Sequence, residues 1–173
     1  KYILDTNEAG SKLDSSGSVL YSDDFEYASY PSGYLTERGN EPRYLVDQSG
    51  AFYVEDGKLV QGLEQKVNQW RNFEPNTVVG DHRWMNYKAS VDVYPGETGS
   101  AGIVVRQQTG MSYNGSGYSL QINRNGHWKF MKRTTILDTG DISASSDGKY
   151  CLSIQAKGKE ITAYIDDEEV SYC

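Results

Sequence analysis

Three consecutive segments decide the fold: GDHRWMNY at residues 80–87, KASVDVY at residues 88–94 and GIVVR at residues 102–106. Turn-forming residues lead into runs in which apolar and polar side chains alternate, and the last run is apolar until it ends at Arg106. A period of two is typical of a strand with one buried face. The segments therefore predict consecutive antiparallel strands in the middle of an all-β domain.

Strand-like runs recur along the rest of the chain. They are separated by turn signals such as Asp56-Gly57 and Asn125-Gly126, and an Asp-Gly pair between alternating runs favours a hairpin. No long window has a clean helical period, and only short helical turns are expected in the best one, residues 63–70. Predicted strands occupy residues 19–25, 51–55, 58–61, 76–79, 87–94, 101–107, 117–123, 127–132, 149–157 and 160–166. This spacing predicts a two-sheet antiparallel β-sandwich.

Composition and charge limit the number of domains and the classes of partner that the chain is expected to have. The chain has 173 residues, enough for one domain, and its 18 Gly and 14 Tyr suit a β domain with many turns. Residues 1–18 are predicted to form an N-terminal arm or linker, and residues 19–173 the β-sandwich. A net charge of -7 argues against a nucleic acid or an anionic membrane as partner, because both need a basic surface. No segment is apolar over the roughly 18 residues that a membrane span needs, so we expect no membrane insertion.

The sequence contains no recognisable arrangement of catalytic residues. Asp166 and Asp167 are adjacent, so on a strand they point to opposite faces, whereas glycoside hydrolysis needs two acids that face one another. Cys151 and Cys173 match no zinc or redox spacing. They either form a disulfide or remain two free thiols. The chain is therefore predicted not to be an enzyme.

Several motifs carry a resemblance to a known family. With DDF at residues 23–25, LVQ at residues 59–61 and above all the Gly-Asp-x-x-Trp-x-Asn run at residues 80–86, the chain resembles the C-terminal lectin-like domain of galactosylceramidases, a glycoside hydrolase family. Runs at residues 117–120 and 161–166 are similar to concanavalin-like and laminin-G-like jelly rolls. The resemblance covers residues 19–173.

The resemblance implies a concanavalin-like jelly roll that serves as the accessory domain of a secreted or cell-surface enzyme, as a monomer. The family's catalytic barrel has no counterpart in this chain. The family's jelly roll closes with a further strand after the position of Tyr172, where this chain ends. Either the arm at residues 1–18 supplies a strand in its place, or one sheet edge stays open.

The resemblance also implies a structural Ca²⁺ ion. In the family the ion lies beside the strand that ends in the acid before Phe25, which here is Asp24, with Asp23 next to it and a carbonyl near Lys58 as a second ligand. Carboxylate and carbonyl oxygens are the ligands that Ca²⁺ prefers. The alternative is that the two acids form a solvated turn in an acidic protein.

Six residues are candidate glycan ligands: Arg106, Gln107, Tyr113, Tyr118, Trp128 and Trp70. A guanidinium offers a fork of donors that can meet two adjacent sugar hydroxyls, and aromatic rings can stack on the apolar face of a pyranose. Trp70 lies in a polar stretch and is a candidate for an exposed platform. Trp128 is either such a ring or a core residue, and Trp84 is expected in the core.

These observations predict a non-catalytic carbohydrate-binding module. It would bind a glycan, with galactose-containing glycans as the first candidate, on a concave sheet face, and it would hold the catalytic domain of a parent glycoside hydrolase near its polymer. The alternative is a structural domain that packs on a catalytic barrel or partner protein without binding sugar. A small concanavalin-like hydrolase would need glutamates alternating on one strand, a pattern that is absent. A polar groove lined by rings would favour glycan binding, and an exposed apolar patch would favour packing.

Overall fold

The computed structural model describes residues 2–5, 19–23, 44–48, 52–61, 76–79, 84–107 and 117–173. Within these ranges fourteen strands and no helix occur. The strands are β1 (Tyr2–Asp5), β2 (Val19–Asp23), β3 (Tyr44–Gln48), β4 (Phe52–Glu55), β5 (Lys58–Gln61), β6 (Asn76–Val79), β7 (Tyr87–Val93), β8 (Ser100–Val105), β9 (Tyr118–Asn123), β10 (His127–Lys132), β11 (Thr135–Asp141), β12 (Tyr150–Lys157), β13 (Glu160–Ile165) and β14 (Glu168–Tyr172). The described part of the chain thus holds no helix with the length and apolar character that crossing a membrane requires.

The chain divides into two compact units. One comprises Lys1–Ser22 with His82–Cys173, and the other comprises Asp23–Asp81. In the second unit β3 pairs with β6 and β4 pairs with β5, both antiparallel. Asp56 and Gly57 connect β4 to β5 with left-handed φ angles of 49° and 69°, as a tight two-residue hairpin turn requires. The hairpin predicted at this Asp-Gly pair is therefore confirmed.

The first unit contains a six-stranded sheet in the order β14-β13-β12-β7-β1-β2. Its ladders from β14 to β1 are antiparallel, and β1 enters the sheet with Tyr2 opposite Val91 and Asp5 opposite Lys88. The arm at residues 1–18 therefore supplies a strand that lies inside this sheet, between β7 and β2.

The same unit contains a four-stranded antiparallel sheet in the order β11-β10-β9-β8. Strand β8 packs against β7 and β12, and β9 packs against β12, so the two sheets enclose one core. The core side chains, which alternate along their strands, are Tyr87, Ala89, Val93, Ile103, Val105, Leu120, Ile122, Trp128, Phe130, Tyr150, Leu152, Ile154, Ala156, Ile161, Ala163 and Ile165. The prediction of an all-β, two-sheet antiparallel sandwich is confirmed, and the concanavalin-like jelly-roll path remains a prediction.

Two strands of the sandwich were not predicted from the sequence pattern. Every side chain of β11 is exposed, because this strand lies at the edge of the four-stranded sheet beside β10 alone among the described strands. Strand β14 begins with Glu168 and Glu169, and both are exposed at the edge of the other sheet. Neither strand therefore shows the alternation of apolar and polar residues by which a strand is predicted.

The positions of the two cysteines decide the question of a disulfide. Cys173 exchanges two backbone hydrogen bonds of 2.9 Å with Ile161, whereas the Cys151 carbonyl accepts the Asp166 N–H at 2.8 Å. Ile161 and Asp166 lie at opposite ends of β13, roughly 17 Å apart at the usual rise of a strand. A disulfide needs Cα atoms within about 7 Å. Both cysteines are therefore free thiols.

We expect thiol titration to find two reactive groups per chain under denaturing conditions, with no change after reduction. In the folded protein Cys173, which is exposed, should react first. Cys151 should react more slowly because it is only half-exposed, whereas burial raises the pKa of both thiols and does not rank them. A single chain that gains mass by two hydrogens on reduction would contradict the assignment.

Candidate functional site

Arg106 directly follows β8, and its hydrogen bonds connect the ends of neighbouring strands. Its Nη2 donates hydrogen bonds to the Met85 carbonyl at 2.8 Å and to the Gly158 carbonyl at 2.7 Å. Its backbone N–H donates to the Tyr87 hydroxyl at 2.7 Å, and burial raises the pKa of Tyr87. The φ angle of Arg106 is 55°, a left-handed value that a non-glycine residue seldom adopts and that these bonds hold in place. One terminal amino group of the guanidinium is thus committed to the fold.

Trp128 and Tyr118 both point into the sandwich. Trp128 is 7% exposed, and its ring covers Gly140 on β11 so closely that a Cβ at Gly140 would lie 2.8 Å from Cζ2 of Trp128. Tyr118 is half-buried and stacks on Phe130 with ring centroids 6.2 Å apart. The Lys132 ammonium lies 5.3 Å from the Tyr118 ring centroid. Neither ring offers a broad open face to a sugar.

The six predicted glycan ligands do not form one surface in the described part of the chain. Tyr118 pairs with Val105 beside Arg106, whereas Trp128 pairs with Ile122, four residues further along β9 and roughly 13 Å away. Gln107 follows Arg106 and is half-buried. The remaining two predicted ligands, Tyr113 and Trp70, lie outside the described residues.

The candidate calcium ligands are only partly described. Asp23 is the last residue of β2, Lys58 is the exposed first residue of β5, and Asp24 lies outside the described residues. Among the residues that the structure describes, no group of three or more His, Cys, Asp or Glu is placed to hold a metal ion. Calcium binding stays a prediction.

Side chains with groups that can contact a sugar lie together on a different surface. It is the outer face of the six-stranded sheet across β7, β12, β13 and β14, opposite the face that carries the core. We call it the tyrosine face, and its residues are Lys88, Ser90, Ser153, Gln155, Thr162, Tyr164 and Tyr172. The ladder registers arrange them in two rows across the strands, Ser90–Ser153–Tyr164 and Lys88–Gln155–Thr162–Tyr172.

Hydrogen bonds and a cation–π contact organise the centre of the tyrosine face. The Oγ atoms of Ser90 and Ser153 are 2.8 Å apart, and Ser153 is 2% exposed, so this pair forms the floor of the face. The Tyr164 hydroxyl donates to Oε1 of Gln155 over 3.4 Å. The Lys88 ammonium lies 5.0 Å from the Tyr164 ring centroid, within the range of a cation–π attraction. Both contacts favour the observed orientation of the Tyr164 ring.

Tyr172 brings a second ring to the same face. It is 58% exposed and lies opposite Thr162, two residues along β13 from Tyr164. Diagonal neighbours on adjacent strands lie roughly 7–8 Å apart, within reach of aromatic side chains. Partial desolvation, followed by the charge and hydrogen bonding of the Glu160 carboxylate, raises the pKa of the Tyr172 hydroxyl. Tyr172 is therefore a neutral ring and a hydroxyl donor in ordinary buffers.

The chemistry of this face differs from that of an apolar packing surface. Two aromatic rings stand beside an amide and several hydroxyls, groups that both donate and accept hydrogen bonds. Sequence reasoning placed Thr162 and Tyr164 on a strand but did not select Tyr164 as a candidate ligand. The signal was present in ITAYI at residues 161–165, because the buried isoleucines there fix Thr162 and Tyr164 on the opposite face.

Comparison with protein-family models, with curated proteins and with solved structures finds no match to this chain.

Proposed function

We propose that the protein is a non-catalytic carbohydrate-binding module that binds glycans on the tyrosine face, with galactose-containing glycans as the first candidate. In this proposal it belongs to a secreted or cell-surface glycoside hydrolase and keeps the catalytic domain close to its polymer. The observation that carries the proposal is the pair of rings at Tyr164 and Tyr172 on one polar sheet face. It is the ring-lined polar surface that distinguishes glycan binding from packing.

The expected binding mode follows from these groups. The apolar C–H face of a pyranose stacks on the exposed Tyr172 ring, and the sugar hydroxyls exchange hydrogen bonds with Gln155 and Thr162. Tyr164 lies two residues along β13 from Thr162, so a longer glycan would extend along the face over the Tyr164 ring. Such contacts are few and solvated, so affinity is expected in the micromolar to millimolar range and gains from multivalency.

Replacing Tyr172 with alanine should weaken glycan binding about fivefold to thirtyfold, because a stacked ring contributes about 1–2 kcal/mol. Tyr172→Phe retains the ring and should retain most of the affinity. Leu137→Ala is the matched control, since it removes a 41%-exposed apolar side chain from β11 of the other sheet. Isothermal calorimetry or NMR titration of the wild type against a glycan panel, then of the variants against the best ligand, measures the difference.

The same titration tests the calcium prediction, since wild-type binding is compared with and without a chelator. Loss of binding in chelator would support a bound Ca²⁺ ion on which glycan binding depends. Equal weakening by Tyr172→Ala and Leu137→Ala would show that the tyrosine face is not the binding surface.

One observation favours a packing domain as the second candidate. Strand β11 exposes Ile136 (51%) and Leu137 (41%) at the edge of the four-stranded sheet. Exposed apolar side chains on an edge strand can pack against a partner protein. If no glycan in the panel binds, this surface becomes the first one to test against the catalytic domain of a glycoside hydrolase.

A further inference from the structure

We propose that Glu160 determines which glycans the tyrosine face accepts: neutral sugars with neighbouring hydroxyls are bound, and sugars oxidised to uronates are rejected. This inference rests on the proposed function and adds the class of ligand to it.

Glu160 lies at the exposed end of the face, next to the more exposed ring. It is the first residue of β13, and because side chains alternate along a strand it shares a face with Thr162 and Tyr164. Tyr172 pairs with Thr162, which places the Tyr172 ring diagonally beside Glu160. The effect of the Glu160 carboxylate on the Tyr172 hydroxyl shows the same proximity.

Charges of both signs lie near Glu160, since Lys157 and Lys159 precede it in the hairpin between β12 and β13. Glu169 pairs with Tyr164 and adds to the negative charge near Tyr172. Lys157 stands opposite Glu160 in the ladder, but among the described ion pairs none joins the two. The Lys88 ammonium is two strands away from β13 and lies over the Tyr164 ring. No described cation therefore neutralises Glu160 directly.

A carboxylate in this position has two consequences for a bound sugar. Its two oxygens accept hydrogen bonds only, so they can take protons from two adjacent hydroxyls of a ring stacked on Tyr172, and such charge-assisted bonds are stronger than neutral ones. A ligand carboxylate in the same place would face like charge and could donate nothing. Glu160 thus favours a neutral sugar and opposes its uronate.

The test compares Glu160→Gln with the wild type on two matched ligands: a galactan oligosaccharide, and the same oligosaccharide oxidised at C6 to the uronate. Glutamine keeps the shape but loses the charge. Glu160→Gln should bind the neutral oligosaccharide about fivefold to tenfold more weakly. It should bind the uronate at least about threefold more tightly at low salt, and this gain should shrink as salt rises. Opposite changes for two ligands cannot come from a general loss of structure.

Glu168→Gln is the control, because it makes the same change in net charge at a residue that pairs with Ile165, away from the rows of the tyrosine face. Equal responses of Glu160→Gln and Glu168→Gln would overturn the proposal, since only net charge would then matter. So would wild-type protein that binds the uronate as well as the neutral oligosaccharide. Both results leave glycan binding itself intact, whereas wild-type protein that binds neither oligosaccharide and no other glycan defeats the proposed function.

Discussion

Replacing Trp128 with alanine will lower the free energy of unfolding by about 3–5 kcal/mol, the usual cost of removing a large aromatic side chain from a core. Trp128 is 7% exposed and shares the inner face of β10 with Phe130. Its ring fills the space above Gly140 on the neighbouring strand, where a Cβ would lie 2.8 Å from the ring. The vacated volume borders backbone on that side, so collapse around it will be limited.

Chemical denaturation of the wild type, Trp128→Ala and Trp128→Phe measures this loss. Phenylalanine fills part of the space and should recover part of the stability. Glycan affinity per folded molecule should be unchanged in both variants, because the ring faces the interior. If Trp128→Ala unfolded at the wild-type denaturant concentration and lost glycan binding, Trp128 would be a ligand and its assignment to the core would be wrong.

The alternation along individual strands was enough to predict the sandwich. In β12 the residues from Tyr150 to Ala156 show the period of two, and the structure buries the alternate apolar residues Tyr150, Leu152, Ile154 and Ala156. The period also places Trp128 and Phe130 on one face. It does not say whether that face is inner or outer when both sides of a strand carry bulky or amphipathic residues. For Trp128 this choice depends on Gly140, which another strand supplies.

The role of Arg106 could not be derived from the local pattern. An arginine that closes an apolar strand suggests a donor fork at the rim of a sheet. Its acceptors are the carbonyls of Met85 and Gly158, which lie 21 and 52 residues away in sequence. Tertiary contacts of this length follow from the arrangement of the sheets, so the sequence identified an unusual arginine without identifying its partners.

The tyrosine face also depends on strand pairing that the local sequence pattern does not show. Tyr164 and Tyr172 lie on one sheet face because β13 and β14 form a hairpin whose register shifts between Ala163 and Tyr164. Asp166 and Asp167 make the tight turn with left-handed φ angles of 51° and 67°. The sequence argument placed the acidic pair on a strand, but β13 ends at Ile165 and the pair lies in the turn after it. The use of this pair as a hairpin turn, and hence the placement of the two rings on one face, required a strand that the sequence pattern does not show.

Replacing Gly126 with alanine is the second change with a large expected effect, a loss of about 2–5 kcal/mol in the free energy of unfolding. Gly126 is buried in the turn between β9 and β10, and its φ angle of 87° is left-handed. A Cβ there would lie 2.2 Å from the Ile142 carbonyl oxygen, which belongs to the backbone and cannot rotate away. The Gly126 carbonyl also accepts the Ile142 N–H at 3.0 Å. The substitution therefore adds left-handed strain and separates the chain after β11 from this turn.

Gly148→Ala separates these two contributions. Gly148 has a similar φ angle of 72°, but no atom lies within 4 Å of a Cβ built there. The Gly148→Ala variant should lose only the conformational part of the free energy of unfolding, about 1–2 kcal/mol. Hydrogen exchange should show early opening of β11 in Gly126→Ala, because Ile142 holds the end of that strand. Equal destabilisation of the two variants would mean that the turn moves freely away from Ile142. The register that sets Gly140 beneath Trp128 would then depend on β10 alone.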